Sequence, residues 1–183
     1  MHHSFKGLFL TFLVLLNVGP SLCAQSPYVA VEIRSGKVYI NGTHVTRETT
    51  IVEYKAILGP PDRTTTLSNT IYTYDSLGIL LYQRHGEQSV LSISLELVPH
   101  KYKFSSKKPF QGVFVAENMA LRSNFEQAAL RSCAALTVSQ DDTSLAMPVT
   151  KVRAGGIILI FEFLTSRRQL DGVGISWGTG VSP

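Results

Sequence analysis

Apolar and polar positions change period several times along the chain, and each change predicts an element. Val38-Tyr39-Ile40 is a short β-prone run, and the Asn41-Gly42 that follows favours a tight hairpin. Thr50-Ile51-Val52-Glu53 reads as a capping box, in which the Thr50 hydroxyl accepts from the Glu53 N–H and the Glu53 carboxylate reaches back. A helix is predicted from there to Leu58, because Gly59 can cap it and Pro60-Pro61 cannot continue it. Ile71-Tyr72-Thr73-Tyr74, the turn Asp75-Ser76-Leu77-Gly78 and Ile79-Leu80-Leu81-Tyr82 predict a strand pair. The stretch 90–97 then alternates, which predicts a half-buried strand with Leu91, Ile93, Leu95 and Leu97 inward.

The second half repeats the plan. Val113-Phe114-Val115 aligns with Val38-Tyr39-Ile40, and Ser123-Asn124-Phe125-Glu126 is a second capping box. Val52, Glu53, Ala56 and Ile57 fall on Phe125, Glu126, Ala129 and Leu130. Residues 149–153, the turn Ala154-Gly155-Gly156 and residues 157–163 copy the paired strands, and 173–177 copies 91–95. The pattern predicts an internal duplication, with a first α+β repeat over 25–98 and a second over 99–183 in one shared domain. A helix buries its apolar stripe on a sheet. The expected fold class is therefore α+β: one continuous antiparallel sheet with two helices on one face and the other face open. Ser92, Ser94, Glu96, Ile158, Ile160, Glu162 and Ser176 are expected on the open face. The alternation leaves open which face carries Tyr72 and Tyr74.

The N-terminus adds a destination. His2, His3 and Lys6 precede a short apolar run over 8–18, Gly19-Pro20 breaks it, and Leu22-Cys23-Ala24 offers a small residue for cleavage. Residues 1–24 read as a secretory signal peptide, with too few apolar residues to serve as a spanning helix of about 20. Cleavage removes Cys23 and leaves Cys133 alone, so no internal disulfide is expected, and a periplasmic or secreted bacterial envelope location fits best. The chain of 183 residues is 44% hydrophobic and 16% charged, apolar enough to build a core. Its net charge of +4 is spread out; the longest basic grouping is Lys101, Lys103, Lys107 and Lys108, which argues against a nucleic-acid binder.

Candidate chemistry is sparse. Gly174-Ile175-Ser176-Trp177-Gly178 fits the G-x-S-x-G pattern of a nucleophile elbow, but no acid, histidine or helix-length segment follows it. His44, His85 and His100 lie in separate segments without metal-ligand spacing, and Asp141-Asp142 lacks the pattern of a calcium loop. No glycine-rich loop opens a helix after a strand, so no cofactor is expected, and neither are catalytic or metal-binding residues. Asp62 is suited to closing the turn after the helix and Asp75 to an Asx turn. Arg63 offers a fork of donors to a partner carboxylate or is a solvated loop charge.

The run Leu58-Gly59-Pro60-Pro61-Asp62, the aromatic strand Tyr72-Thr73-Tyr74 and the antiparallel strands after it resemble the β-lactamase inhibitor protein superfamily, whose unit the small outer-membrane assembly lipoproteins share. Pro61-Asp62-Arg63 with Tyr74-Asp75-Ser76-Leu77-Gly78-Ile79 is also similar to an uncharacterised family of bacterial secreted and immunity-like domains. The chain departs from the inhibitor in lacking its disulfides, and Leu130-Arg131-Ser132-Cys133 stands where a second Gly-Pro-Pro would be. The resemblance implies the tandem fold and protein binding, without β-lactamase as target. The expected function is a non-enzymatic protein-binding module, an immunity or inhibitor protein; a structural envelope component is the alternative. The expected partner is a toxin, an enzyme or an envelope component, with no nucleic acid and no integral membrane segment after cleavage. Arg63, Tyr72, Tyr74 and Tyr82 are the expected partner-binding residues.

Overall fold

The computed structural model describes residues 28–98, 100–117, 119–121, 137–142, 149–164 and 169–177. The leader expected over 1–24, the second capping box Ser123-Asn124-Phe125-Glu126 with the helix expected after it, and Cys133 lie outside the described residues.

Two sheets carry the fold. The smaller holds β1 (Ala30–Arg34), β2 (Lys37–Ile40), β3 (Thr43–Val45), β8 (Val113–Ala116) and β9 (Met119–Leu121), in the order β3-β2-β1-β8-β9. Its central pair, β1 with β8, is parallel, with Val31 opposite Phe114 and Ile33 opposite Ala116. The larger holds β4 (Arg63–Thr66), β5 (Asn69–Tyr74), β6 (Ile79–Arg84), β7 (Ser92–Glu96), β10 (Thr137–Asp142), β11 (Val149–Ala154), β12 (Ile157–Leu164) and β13 (Gln169–Trp177). Its order, β10-β11-β12-β13-β7-β6-β5-β4, is antiparallel throughout and reads as a palindrome of the two chain halves. At its centre Ile93 of β7 lies directly opposite Ile175 of β13.

The expected α+β layer of two helices on one sheet is incorrect. Among the described residues there is one helix, α1 (Ile51–Leu58), and most of those residues are in strands. The small sheet occupies the place assigned to helices. Val31, Ile33, Val38, Ile40, Phe114 and Leu121 from it join Tyr74, Leu81, Ile93, Leu159, Phe161 and Ile175 from the large sheet in one hydrophobic core. Two sheets, each with one apolar face, bury more than an eight-residue helix offers, and α1 buries only Tyr54 fully. The alignment of 113–115 with 38–40 also shifts: β8 lies beside β1, not in the place of β2.

Local signals fix local structure. Thr50 and Glu53 form both bonds of the capping box. Gly59 ends α1 at φ 84°, its N–H bonding the Lys55 carbonyl. Asn41 and Gly42 turn β2 into β3 at φ 49° and 77°, the left-handed pair a two-residue hairpin demands. Gly36, in the β1–β2 turn, sits so close to Gly155, in the β11–β12 turn, that a Cβ on it would come within 2.9 Å of the Gly155 Cα.

Candidate functional site

Directly paired residues in adjacent strands share a face, which places the four sequence-chosen residues. Tyr72 and Tyr74 pair with Leu81 and Ile79 on the core side. The buried Tyr74 donates to the Gly59 carbonyl at 3.2 Å, and burial pushes its hydroxyl up to about 12. Tyr72 donates to Gln83 Oε1 at 2.7 Å, under the Lys55 ammonium. Arg63 pairs with Thr73, and Tyr82 with Ile71 and Ser92, so these two belong to the opposite face. The four residues therefore form no common surface.

The opposite face is not open along its length, because residues 100–110 cross it as a strap. Ser106 donates through its amide and its hydroxyl to Glu96 Oε2, which buries a carboxylate that alternation aims away from the core. Thr73 donates to the Phe104 carbonyl at 2.9 Å. The Arg63 fork grips Asp75 through Nε at 2.9 Å and Nη2 at 2.7 Å, and also donates to the carbonyls of Lys103 and Ser105. Hydrogen bonds from Arg63, and secondarily from Lys107, hold the Asp75 carboxyl below its ordinary range against the cost of burial. Asp62 does not close the turn after the helix; its Oδ2 accepts from the Asp75 N–H at 2.7 Å across the open end of the β4–β5 hairpin. Ile71 and Leu80 are buried on this face, apart from the main core.

The far end of the strap is fastened at a β-bulge. Glu162 pairs with Gly172 and Phe163 with Leu170, which leaves Asp171 as the extra residue. Its carbonyl accepts from the amides of Leu97 and Val98 at 2.9 and 3.0 Å, and its carboxylate meets His100 Nε2 at 2.9 Å. Asp171 is fully buried, and its Oδ1 has no hydrogen-bond partner among the described residues. Burial raises the carboxyls of Asp171 and Glu162, and raises the Tyr82 hydroxyl to about 12. Asp171 adds to the upward push on the Glu162 carboxyl and His100 opposes it, yet no group of three His, Cys, Asp or Glu among the described residues is arranged to hold a metal ion. Ser176 lies inside β13, paired with Ser92 and Ile158, far from the strand-to-helix turn of a nucleophile elbow.

An open sheet surface exists elsewhere, on the outer side of the small sheet. His44, Tyr39, Glu32, Val115 and Ala120 are cross-strand neighbours across its five strands. The Arg34 guanidinium lies 4.3 Å over the Tyr39 ring and 3.2 Å from Glu32, and the His44 ring centroid is 5.3 Å from that of Tyr39. Sequence reading missed this face, although a signal was present: Val29, Val31 and Ile33 alternate with Ala30, Glu32 and Arg34, and Tyr39 stands between Val38 and Ile40.

Among solved structures, the chain is similar to a DUF4309 family protein, YjgB, from Bacillus subtilis, at 14% identity and a TM-score of 0.48 over 78% of this chain and 88% of that one. It is also similar to an extracellular protein containing a SCP domain from Bacillus anthracis, at 11% identity and a TM-score of 0.43 over 69% of this chain and 42% of that one. No curated protein matches the sequence. A family model matches residues 30–131, from β1 past β9, and the chain belongs to that family, described as a domain of unknown function, DUF7738.

Proposed function

We propose that the chain is an exported, non-enzymatic binding module that holds a protein partner on the outer face of its small sheet. The observation that carries this reading is the Arg34–Tyr39–His44 stack, set on a sheet whose other side is packed core. Arg and Tyr dominate the energetics of protein interfaces, and a rigid backing lowers the entropy cost of docking. Lys37 and Arg34 pair across β1 and β2, and Glu32 is the acid beside them, so the face suits a flat, acidic partner surface. An immunity or inhibitor role is the form of this function that the leader and the sparse chemistry favour.

The test uses immobilised chain and an envelope extract of the source cells. Wild type is expected to retain a partner that the Arg34→Ala, Tyr39→Ala double variant loses, with unchanged thermal unfolding in both. Tyr72→Ala is expected to retain it. A partner held equally by the double variant refutes the assignment of the surface.

A further inference from the structure

Where the strap crosses the large sheet, charge is separated by sign. The acids lie beneath it, on the sheet, and are engaged there: Asp75 after β5 by Arg63 and Lys107, Glu96 of β7 by Ser106, Asp171 of β13 by His100. The strap's cations point outward. Lys101, Lys103, Lys107 and Lys108 are exposed, and only Lys107 has an ion-pair partner among the described residues, Asp75 Oδ2 at 3.2 Å. Between the lysines runs an aromatic ladder. The Tyr102 ring stacks on Phe104, with centroids 5.4 Å apart and planes within 5°, and tilts against His100 at 5.8 Å. Tyr102 is 61% exposed.

The strap is held rigid as well as charged. Arg63 binds the carbonyls of Lys103 and Ser105, Thr73 binds that of Phe104, and the Lys107 and Lys108 amides donate to Asp75. A segment spending this many internal bonds to hold lysines and one tyrosine outward is preorganised for an anionic surface.

We propose that residues 100–108 form a peripheral docking element for a membrane surface rich in anionic phospholipid. Lysine ammonium groups act as point charges toward headgroup phosphates, and an amphipathic tyrosine ring settles at the level of the headgroups. This site is distinct from the outer face of the small sheet and does not depend on the protein-binding reading. It involves no spanning segment; among the described residues no helix is long and apolar enough to cross a bilayer.

Co-sedimentation of the purified chain with vesicles tests this. Vesicles of phosphatidylcholine with about one third phosphatidylglycerol, at 50 mM salt as order-of-magnitude settings, are expected to pellet the chain, and raising the salt tenfold to release it. Each unpaired lysine near the surface contributes about fivefold, so the Lys101→Ala, Lys103→Ala, Lys108→Ala variant is expected to lose about 100-fold in partitioning with an unchanged unfolding midpoint. Tyr102→Ala should weaken binding and leave its salt dependence intact. Any contribution of the apolar run at 8–18 is common to wild type and variant and reads out on pure phosphatidylcholine vesicles. Salt-insensitive binding, binding unchanged in the triple variant, or lysine-dependent retention on heparin without vesicle binding overturns the proposal; the last outcome assigns the strap to soluble polyanions.

Discussion

Replacing Arg63 by Ala tests whether the strap is held by one half-buried ion pair. The substitution removes both bonds to Asp75, at 2.9 and 2.7 Å, and the donors to the Lys103 and Ser105 carbonyls. Asp75 stays behind with a side chain 9% exposed, supported by the Lys107 amide at 3.1 Å and the exposed Lys107 ammonium. Breaking a fully buried pair by removing one partner costs about 3–5 kcal/mol. The Arg63 side chain is 31% exposed, so solvent screening reduces the expected loss to about 2–3 kcal/mol. Urea unfolding followed by circular dichroism at pH 7 measures it. The sign with pH follows from the depressed Asp75 carboxyl. Its contribution is present above the unfolded carboxyl value and lost as pH falls through the folded one, so the gap between wild type and variant should be full at pH 7 and shrink below about pH 4. Trypsin should also cut the variant faster after Lys101 and Lys103. A loss under about 1 kcal/mol at pH 7, with unchanged cleavage, refutes the pinning role.

Three other substitutions probe separate features. Thr50→Ala should cost about 1 kcal/mol in chemical unfolding, because it deletes the side-chain half of the α1 capping box. Tyr54→Phe should be neutral or stabilising by up to about 1 kcal/mol, since the buried Tyr54 hydroxyl has no partner among the described residues; a clear loss of melting temperature contradicts this. Glu162→Gln should flatten the dependence of melting temperature on pH above the ordinary carboxylate range. Burial raises the Glu162 carboxyl, so its stabilising protonation is present at low pH and lost as pH rises through the folded value; an unchanged profile counts against it.

Features written within a few residues were legible in the chain. The capping box at Thr50, the stop at Gly59, the Asn41-Gly42 turn and the Ala154-Gly155-Gly156 hairpin each depend on neighbours in sequence. Of the small sheet only β2, its turn into β3 and β8 were legible, as separate pieces; their assembly was not, because β1, β2, β3, β8 and β9 are three to five residues long and the β1–β8 pairing joins distant segments. That pairing changed the fold class, since it put a second sheet where the two capping boxes suggested a layer of helices. Glu96 shows the same limit at one residue. Its outward alternation in β7 is real, but the amide and hydroxyl of Ser106 come back over it and bury it. Arg63 is legible as a donor, while the carbonyls that take its fork belong to Lys103 and Ser105, about 40 residues further on. The Arg34–Tyr39–His44 stack draws on three strands, and only the period-two rhythm of each was visible.

The two central strand pairings also decide when the molecule can fold as it is synthesised. β1 lacks a neighbour on one side until β8 exists, and β7 until β13 exists. Contacts so remote in sequence slow folding, because the entropy of closing long loops comes before any reward. A nascent chain that has reached β7 therefore displays two bare strand edges, the geometry that invites pairing with foreign strands. The family-matched span 30–131 contains β7 and stops short of β13. A fragment cut to that span would leave Ile93 and Leu95 without the strand that carries Ile175 and Val173, so aggregation is its expected fate, and only a chain reaching Trp177 closes both sheets.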